Sequence, residues 1–263
     1  MSKYEIPTLT IAGSDSSGGA GIQADLKSFS ANGTYGMSVI TAITAQNTMG
    51  VFDIEELSSR IIKSQIKAVF EDIRPKSTKI GMVSNEEIIK EIASSLKEFD
   101  VQKLVLDPVM ISKSGFALLK EDAQDALKEY LIPLAYIVTP NVPEAEVLTG
   151  MKIETLEDML EAAKLIKKLG ATYVLIKGGH LDGDSTDILY GDGVLEYLRA
   201  KRLNRKNTHG TGCTLSSAIC SNLAKGQEAV EAVKNAKEYI TEAINQSFDL
   251  GSGVGPVNHF YKF

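Results

Sequence analysis

The sequence predicts an α/β protein in which helices cover both faces of a mostly parallel sheet and a short antiparallel hairpin closes one edge. Three observations carry this. Short runs rich in Val, Ile and Leu recur along the chain. They are near-continuous in apolar residues, as strands buried on both faces must be. Stretches with helical spacing of apolar residues separate them, the alternation that yields parallel pairing through helical crossovers.

Strands are expected at residues 8–12, 38–45, 77–81, 103–106, 136–138 and 173–176. The clearest helix runs over residues 156–169, with apolar side chains at 156, 159, 160, 163, 166 and 169. Thr155 suits its N-cap and Gly170 its C-terminal stop. Ser84-Asn85-Glu86-Glu87 reads as a capping box that opens another helix. The stretch from Asp187 to Leu198 reads as two short strands around Gly191-Asp192-Gly193, the expected edge hairpin. Two consecutive helices follow, over about residues 211–224 and 227–249.

A chain of 263 residues exceeds the prior of roughly 150 per domain, yet suits one large α/β unit. No internal repeat, low-complexity tract or linker-like stretch divides it, so residues 1–263 are expected to form a single domain. Twenty-eight Lys and Arg against 34 Asp and Glu give a net charge of −6, which argues against general nucleic-acid binding. Trp is absent, which removes the best stacking platform for single strands. No run approaches roughly 18 apolar residues, so no membrane partner is expected. The first residues lack an apolar core of secretory length, so the expected compartment is the cytoplasm. Cys213 and Cys220 would lie about 10 Å apart along one helix, too far to bridge.

The chemistry concentrates at the ends of the strands. Residues 13–21, Gly-Ser-Asp-Ser-Ser-Gly-Gly-Ala-Gly, follow the first strand and open a helix. Glycines there let backbone approach a ligand, and a helix N-terminus favours anions. The loop also fits a loose G-x-G-x-x-A pattern, but no acidic residue closes the second strand to hold a ribose. That strand ends in Ala45-Gln46-Asn47. The Gln46 amide would match an aminopyrimidine edge, although a glutamine satisfied within the fold fits the position equally. Thr44 should point to the same side of the strand.

Asp107-Pro108 ends one apolar strand and Asn141-x-x-Glu144 follows another. Two carboxylates there would suit Mg²⁺ carrying waters and phosphate oxygens, or equally plain turn and cap chemistry. Lys177, beside Gly178 and Gly179, could reach a phosphate as a point charge. His180 and His259 read as surface or turn histidines. In Asn207-Thr208-His209-Gly210-Thr211-Gly212-Cys213 the glycines make a tight turn into a helix, whose free N–H groups form a nest for a phosphoryl group. Cys213 lies in the first turn, where the macrodipole would lower a thiol pKa. A cysteine hydrolase with Cys213 as nucleophile and His209 as base is the second class of reading. No G-x-x-x-x-G-K-[ST] occurs, so a P-loop is excluded.

A late G-x-G turn opening a helix resembles the ribokinase superfamily. Within it the chain resembles the hydroxymethylpyrimidine/phosphomethylpyrimidine kinase family of thiamine biosynthesis along its whole length. The matching segments are LTIAGSDSSGGAGIQADLKSFSANGTYG, ITAITAQNT, KIGM, LDPVM with SKSG, TPNVPEAEVL, IKGGH, KNTHGTGCTLSSAI and GVGPVNHF. The resemblance implies a three-layer α/β/α sandwich, ATP and Mg²⁺ as cofactors, a small pyrimidine substrate and a homodimer. It implies Gln46 on the pyrimidine ring, with Gly13, Ala20, Met82 and Val109 completing the pocket. Lys177, Glu144 and Asp107 would serve the ATP phosphates and Mg²⁺. Gly210, Thr211 and Gly212 would form the anion hole, with Cys213 in the base position.

A branch of bacterial pyridoxal kinases is similar and supplies the alternative, a pyridoxal or pyridoxine kinase. Several of those carry Met-Asp in place of Gln46-Asn47, a Cys in the loop after D-P-V-M, and G-A-G-C in the anion hole. Here that loop reads Ile111-Ser112-Lys113-Ser114-Gly115 and the hole reads Gly210-Thr211-Gly212-Cys213, which favours the pyrimidine. Thr44 stands where the resemblance implies an apolar residue.

Overall fold

A computed structural model describes residues 5–110, 119–179 and 184–263, with backbone alone at residues 121 and 122. The strands are β1 (Pro7–Asp15), β2 (Tyr35–Asn47), β3 (Gly50–Glu56), β4 (Ser77–Ile80), β5 (Leu104–Leu106), β6 (Ile137–Val138), β7 (Tyr173–Ile176), β8 (Ser185–Gly191) and β9 (Val194–Ala200). They form one sheet in the order β3-β2-β1-β4-β5-β6-β7-β8-β9. The six strands from β2 to β7 pair in parallel, and β3, β8 and β9 pair antiparallel.

The helices are α1 (Gly21–Ala31), α2 (Ser59–Asp72), α3 (Glu86–Glu98), α4 (Glu121–Ala126), α5 (Val142–Thr149), α6 (Leu156–Lys167), α7 (Thr211–Ala224) and α8 (Ala229–Asn245). Consecutive strand residues serve opposite faces. Leu104 and Leu106 join the core beneath α2 to α6, while Val105 joins the core beneath α1, α7 and α8. This is the three-layer sandwich, and it explains why interior strands such as Leu104-Val105-Leu106 are apolar on both faces.

Local chemistry sets the helix ends. Thr155 caps α6 reciprocally with Asp158. Asn85, one residue later than the expected Ser84, caps α3 by accepting from the Ile88 N–H. The β8–β9 hairpin turns on Asp192 and Gly193 at φ 42° and 78°, the left-handed pair that a two-residue hairpin requires.

The sheet departs from expectation at its other edge. Antiparallel pairing occurs there too, where β3 folds back on β2. The β3 sequence, Gly-Val-Phe-Asp-Ile-Glu-Glu, covers one neighbour and lacks the apolar continuity of the interior strands. Its register with β2 shifts between Ala45 and Gln46. Such a bulge re-aims a side chain. The loop 111–115 and His180 lie outside the described residues.

Candidate active site

In an open α/β sheet, ligands bind beyond the carboxyl ends of the strands. A cavity of about 880 Å³ lies there, and all twelve residues expected at the site line it. Gly13 and Ala20 come from the β1 loop, Gln46 from β2 and Met82 from beyond β4. Asp107 and Val109 follow β5, Glu144 sits in α5 and Lys177 follows β7. Gly210, Thr211, Gly212 and Cys213 form the turn into α7. Thr44 lines the same cavity as Gln46, as the strand spacing predicts.

The turn is built around Gly210. Its φ is +80°, and a Cβ there would stand 1.9 Å from the Gly19 carbonyl oxygen. A side chain is therefore excluded twice, by conformation and by space. Thr214 closes the turn from within α7, donating from Oγ1 to the Gly210 carbonyl at 2.8 Å. From outside, the C-terminal segment straps it: His209 N–H donates to Gly255 O, and Gly255 N–H donates to Asn207 Oδ1. The Thr211 N–H turns back to the Thr208 carbonyl oxygen, and the N–H groups that follow it in the first turn of α7 are held beside the cavity on a fixed frame.

Three charges form the second wall. Lys177 Nζ donates to Asp107 Oδ1 at 2.9 Å and stands 3.9 Å from Glu144 Oε2. Thr139 Oγ1 also donates to Asp107 Oδ1. Glu144 caps α5 through the Asn141 N–H at 2.8 Å, so the expected cap chemistry and the cavity position coexist in one residue. Burial, with Asp107 adding to it and Lys177 opposing, pushes the Glu144 carboxyl up to about 7. Burial also works against the charge of Asp107, but the Lys177 and Lys79 ammonium groups hold its carboxyl below the usual range. Two buried carboxylates with Lys177 as the one ammonium within 4 Å of both, and with Glu144 pushed up toward neutrality, fit a further cation shared with phosphate oxygens. Among the described residues no third acidic or histidine ligand completes an all-protein cage. That donor set suits Mg²⁺, which keeps waters and phosphate oxygens in its shell.

Beneath Cys213 lies a buried cation that the sequence reading did not single out. Lys79 Nζ donates to both oxygens of Asp25, at 3.0 and 2.8 Å, and both side chains are fully buried. Thr10 and Ser217 also donate to Asp25, so β1, β4, α1 and α7 meet at one carboxylate. A lysine inside the apolar strand of KIGM was the visible signal. The apolar residues Leu203, Ile240 and Ile244 line another part of the cavity and were also missed.

Two expectations are corrected. The Cys213 thiol is pushed up to about 11, because burial outweighs the pull of Lys79 and of the Gly21 N–H. The helix terminus does not make it a thiolate. His259 does sit in a turn, but it is buried and not at the surface, 2.9 Å from Thr214 Oγ1, and burial depresses its pKa to about 4. The hydrolase pairing also lacks geometric support, since His209 Nε2 hydrogen-bonds Asp15 Oδ2 at 2.8 Å.

Comparison with known proteins accords with this geometry. The family model described as phosphomethylpyrimidine kinase matches residues 15–258. A Rhizobium meliloti hydroxymethylpyrimidine/phosphomethylpyrimidine kinase is 52% identical over 259 residues, covering 97% of each chain. The crystal structure of a Clostridium difficile phosphomethylpyrimidine kinase is 62% identical, with a TM-score of 0.82 over 91% of this chain and 99% of that one. A Bacillus subtilis pyridoxal kinase, solved with ADP, is 42% identical, with a TM-score of 0.90 over 97% of each chain. The chain belongs to the phosphomethylpyrimidine kinase family, on a ribokinase-like fold.

Proposed function

We propose that the chain transfers the γ-phosphoryl group of ATP twice in succession. The first acceptor is the hydroxymethyl oxygen of 4-amino-5-hydroxymethyl-2-methylpyrimidine, and the second is the phosphate of the resulting monophosphate, yielding the diphosphate used in thiamine biosynthesis. The observation that carries this reading is the convergence of Gln46, Lys177 and the Gly210–Cys213 turn on one cavity, in a chain whose relatives bear that activity in their names.

Gln46 orients the ring, with Gly13, Ala20, Met82 and Val109 around it. Lys177 faces the phosphates, and the α7 N–H groups receive the charge that develops on the transferred group. Glu144 and Asp107 would hold Mg²⁺ through waters and phosphate oxygens. Bound there, it would neutralise phosphate charge and leave the chain's own residues to position the acceptor. Because burial pushes the Cys213 thiol up, it must lose its own proton before it can take the alcohol's, and positioning and charge stabilisation contribute more than proton removal.

Two measurements follow. Gln46→Ala should weaken pyrimidine binding at least about tenfold by calorimetry while ATP binding holds; unchanged pyrimidine affinity would remove Gln46 from the site. Cys213→Ala should slow the alcohol step by about 10²-fold, the low end for a general base, and the phosphate step much less. The alcohol must lose a proton on attack, whereas the second acceptor is already ionised. Equal losses would assign Cys213 to packing.

The protein is further proposed to be a cytoplasmic homodimer. A catalytic thiol stays reduced in that compartment. Exposed Ile43, Met49 and Phe52 on the β2–β3 edge offer a face for a second copy. Side activity on pyridoxal is supported by the likeness to the B. subtilis kinase.

A further inference from the structure

Gln46 lies between two side chains whose own hydrogen bonds are already committed. Its backbone is pinned first: Ser16 Oγ accepts from the Gln46 N–H at 2.8 Å and donates to the Gln46 carbonyl at 2.7 Å. The amide therefore extends from a fixed point. On one side, Thr44 Oγ1 lies 2.7 Å from the Ser14 carbonyl oxygen and 3.2 Å from one end of the amide. A hydroxyl has one proton, and the Ser14 carbonyl takes it. What Thr44 has left for Gln46 is a lone pair.

On the other side, His209 Nε2 lies 2.8 Å from Asp15 Oδ2 and 3.4 Å from the other end of the amide. Asp15 is buried and also accepts from the N–H groups of Ser17 and Ala20. Burial opposes its charge, but the hydrogen bond from His209 and those from Ser17 hold its carboxyl down at about 2. A carboxylate only accepts, so the one hydrogen of His209 Nε2 goes to Asp15, and that nitrogen has no lone pair left to accept from an amide NH₂ at Gln46.

The amide thus stands between an oxygen that can accept and an N–H that cannot. The structure draws Oε1 toward Thr44 and Nε2 toward His209, a placement in which acceptor faces acceptor and N–H faces N–H. The two ends have the same shape, so hydrogen bonding decides which is which. We infer that Thr44 and the Asp15–His209 pair lock the Gln46 amide with its NH₂ toward Thr44 and its carbonyl toward His209, and that the locked edge selects a ring in which an acceptor nitrogen adjoins an exocyclic amino group. The amino group then lies on the His209 side and the ring nitrogen on the Thr44 side. This deepens, and rests on, the aminopyrimidine reading. Thr44 and His209 are positioning residues, and Gln46 makes the contact. Thr44 replaces an expected apolar residue because the lock needs its oxygen.

The test compares 4-amino-5-hydroxymethyl-2-methylpyrimidine with its 4-oxo analogue, whose ring N–H and carbonyl reverse the pattern. Binding is measured by calorimetry without ATP. The wild type should prefer the amino compound by about 10²-fold or more, since the reversed edge leaves buried polar groups unpaired. Thr44→Val, which keeps the shape and loses the lone pair, should reduce the preference to about tenfold or less, and Thr44→Ser should restore it. An undiminished preference in Thr44→Val overturns the lock. A second readout needs neither variant nor ligand: in ¹⁵N-labelled wild type, the Gln46 NH₂ protons should show nuclear Overhauser contacts to the Thr44 methyl. Contacts to the His209 ring with none to Thr44 overturn the lock. Binding of neither pyrimidine, with the Thr44 contacts present, overturns the substrate reading and leaves the lock standing.

Discussion

Gly210→Ala is expected to reduce kcat by about 10³-fold or more in both phosphoryl transfers while the far-ultraviolet circular dichroism remains native. The residue holds φ +80°, and the added Cβ would meet the Gly19 carbonyl oxygen at 1.9 Å. One of the two backbones must move. Either movement damages the site, because the Gly19 loop carries Ala20 on the substrate side and the Gly210 turn aims the first N–H groups of α7. Donors displaced by a few tenths of an ångström still allow ATP to bind, but they no longer meet the charge where it develops. Steady-state kinetics with both acceptors checks this. A kcat within tenfold of wild type would mean that the turn is not the anion hole.

Lys177→Met is the other large expected effect, on stability as well as rate. The ammonium neutralises Asp107 at 2.9 Å and stands 3.9 Å from Glu144, so its removal leaves a buried carboxylate pair without its nearest cation. Breaking a buried pair from one side costs about 3 kcal/mol or more. The sign of the pH dependence follows from the two carboxyls. Glu144 sits at about 7 against an ordinary 4.5, so the native state holds its proton more tightly than the unfolded chain. Its ionisation therefore erodes stability as pH rises from about 4.5 to 7. Asp107, held below 3.8 mainly by Lys177 against the effect of burial, contributes stability that is present above 3.8 and lost in acid. Without Lys177 both carboxyls move up. The deficit of the variant in urea denaturation should widen from about pH 5 to pH 8, and kcat should fall by about 10²-fold. A deficit that is flat across this range would separate Lys177 from the two carboxyls.

Most of the sheet was legible because burial on both faces leaves an unbroken apolar run, as in Leu104-Val105-Leu106. β3 escaped because an edge strand with one neighbour tolerates Asp53, Glu55 and Glu56. The residues that line the cavity were legible where the chemistry is local, as at the Gly210 turn and the Asn141–Glu144 cap. They were hidden where partners are distant in sequence. Lys79 stands out within its strand, but Asp25 lies 54 residues away, and the fold alone brings the two together. Position at a helix start pointed to an acidic Cys213 thiol. Burial, which sequence does not weigh, reversed that. His259 near the C-terminus read as a surface or turn histidine; it lies in a turn, but one packed behind Thr214.

The most direct measurement is a coupled ADP-release assay with ATP and Mg²⁺, offering the hydroxymethylpyrimidine, its monophosphate, pyridoxal and pyridoxine in turn. Turnover of both pyrimidines, at a kcat/KM exceeding that of either vitamin B6 compound, is the predicted result. Turnover confined to pyridoxal and pyridoxine would contradict it and assign the chain to the alternative kinase.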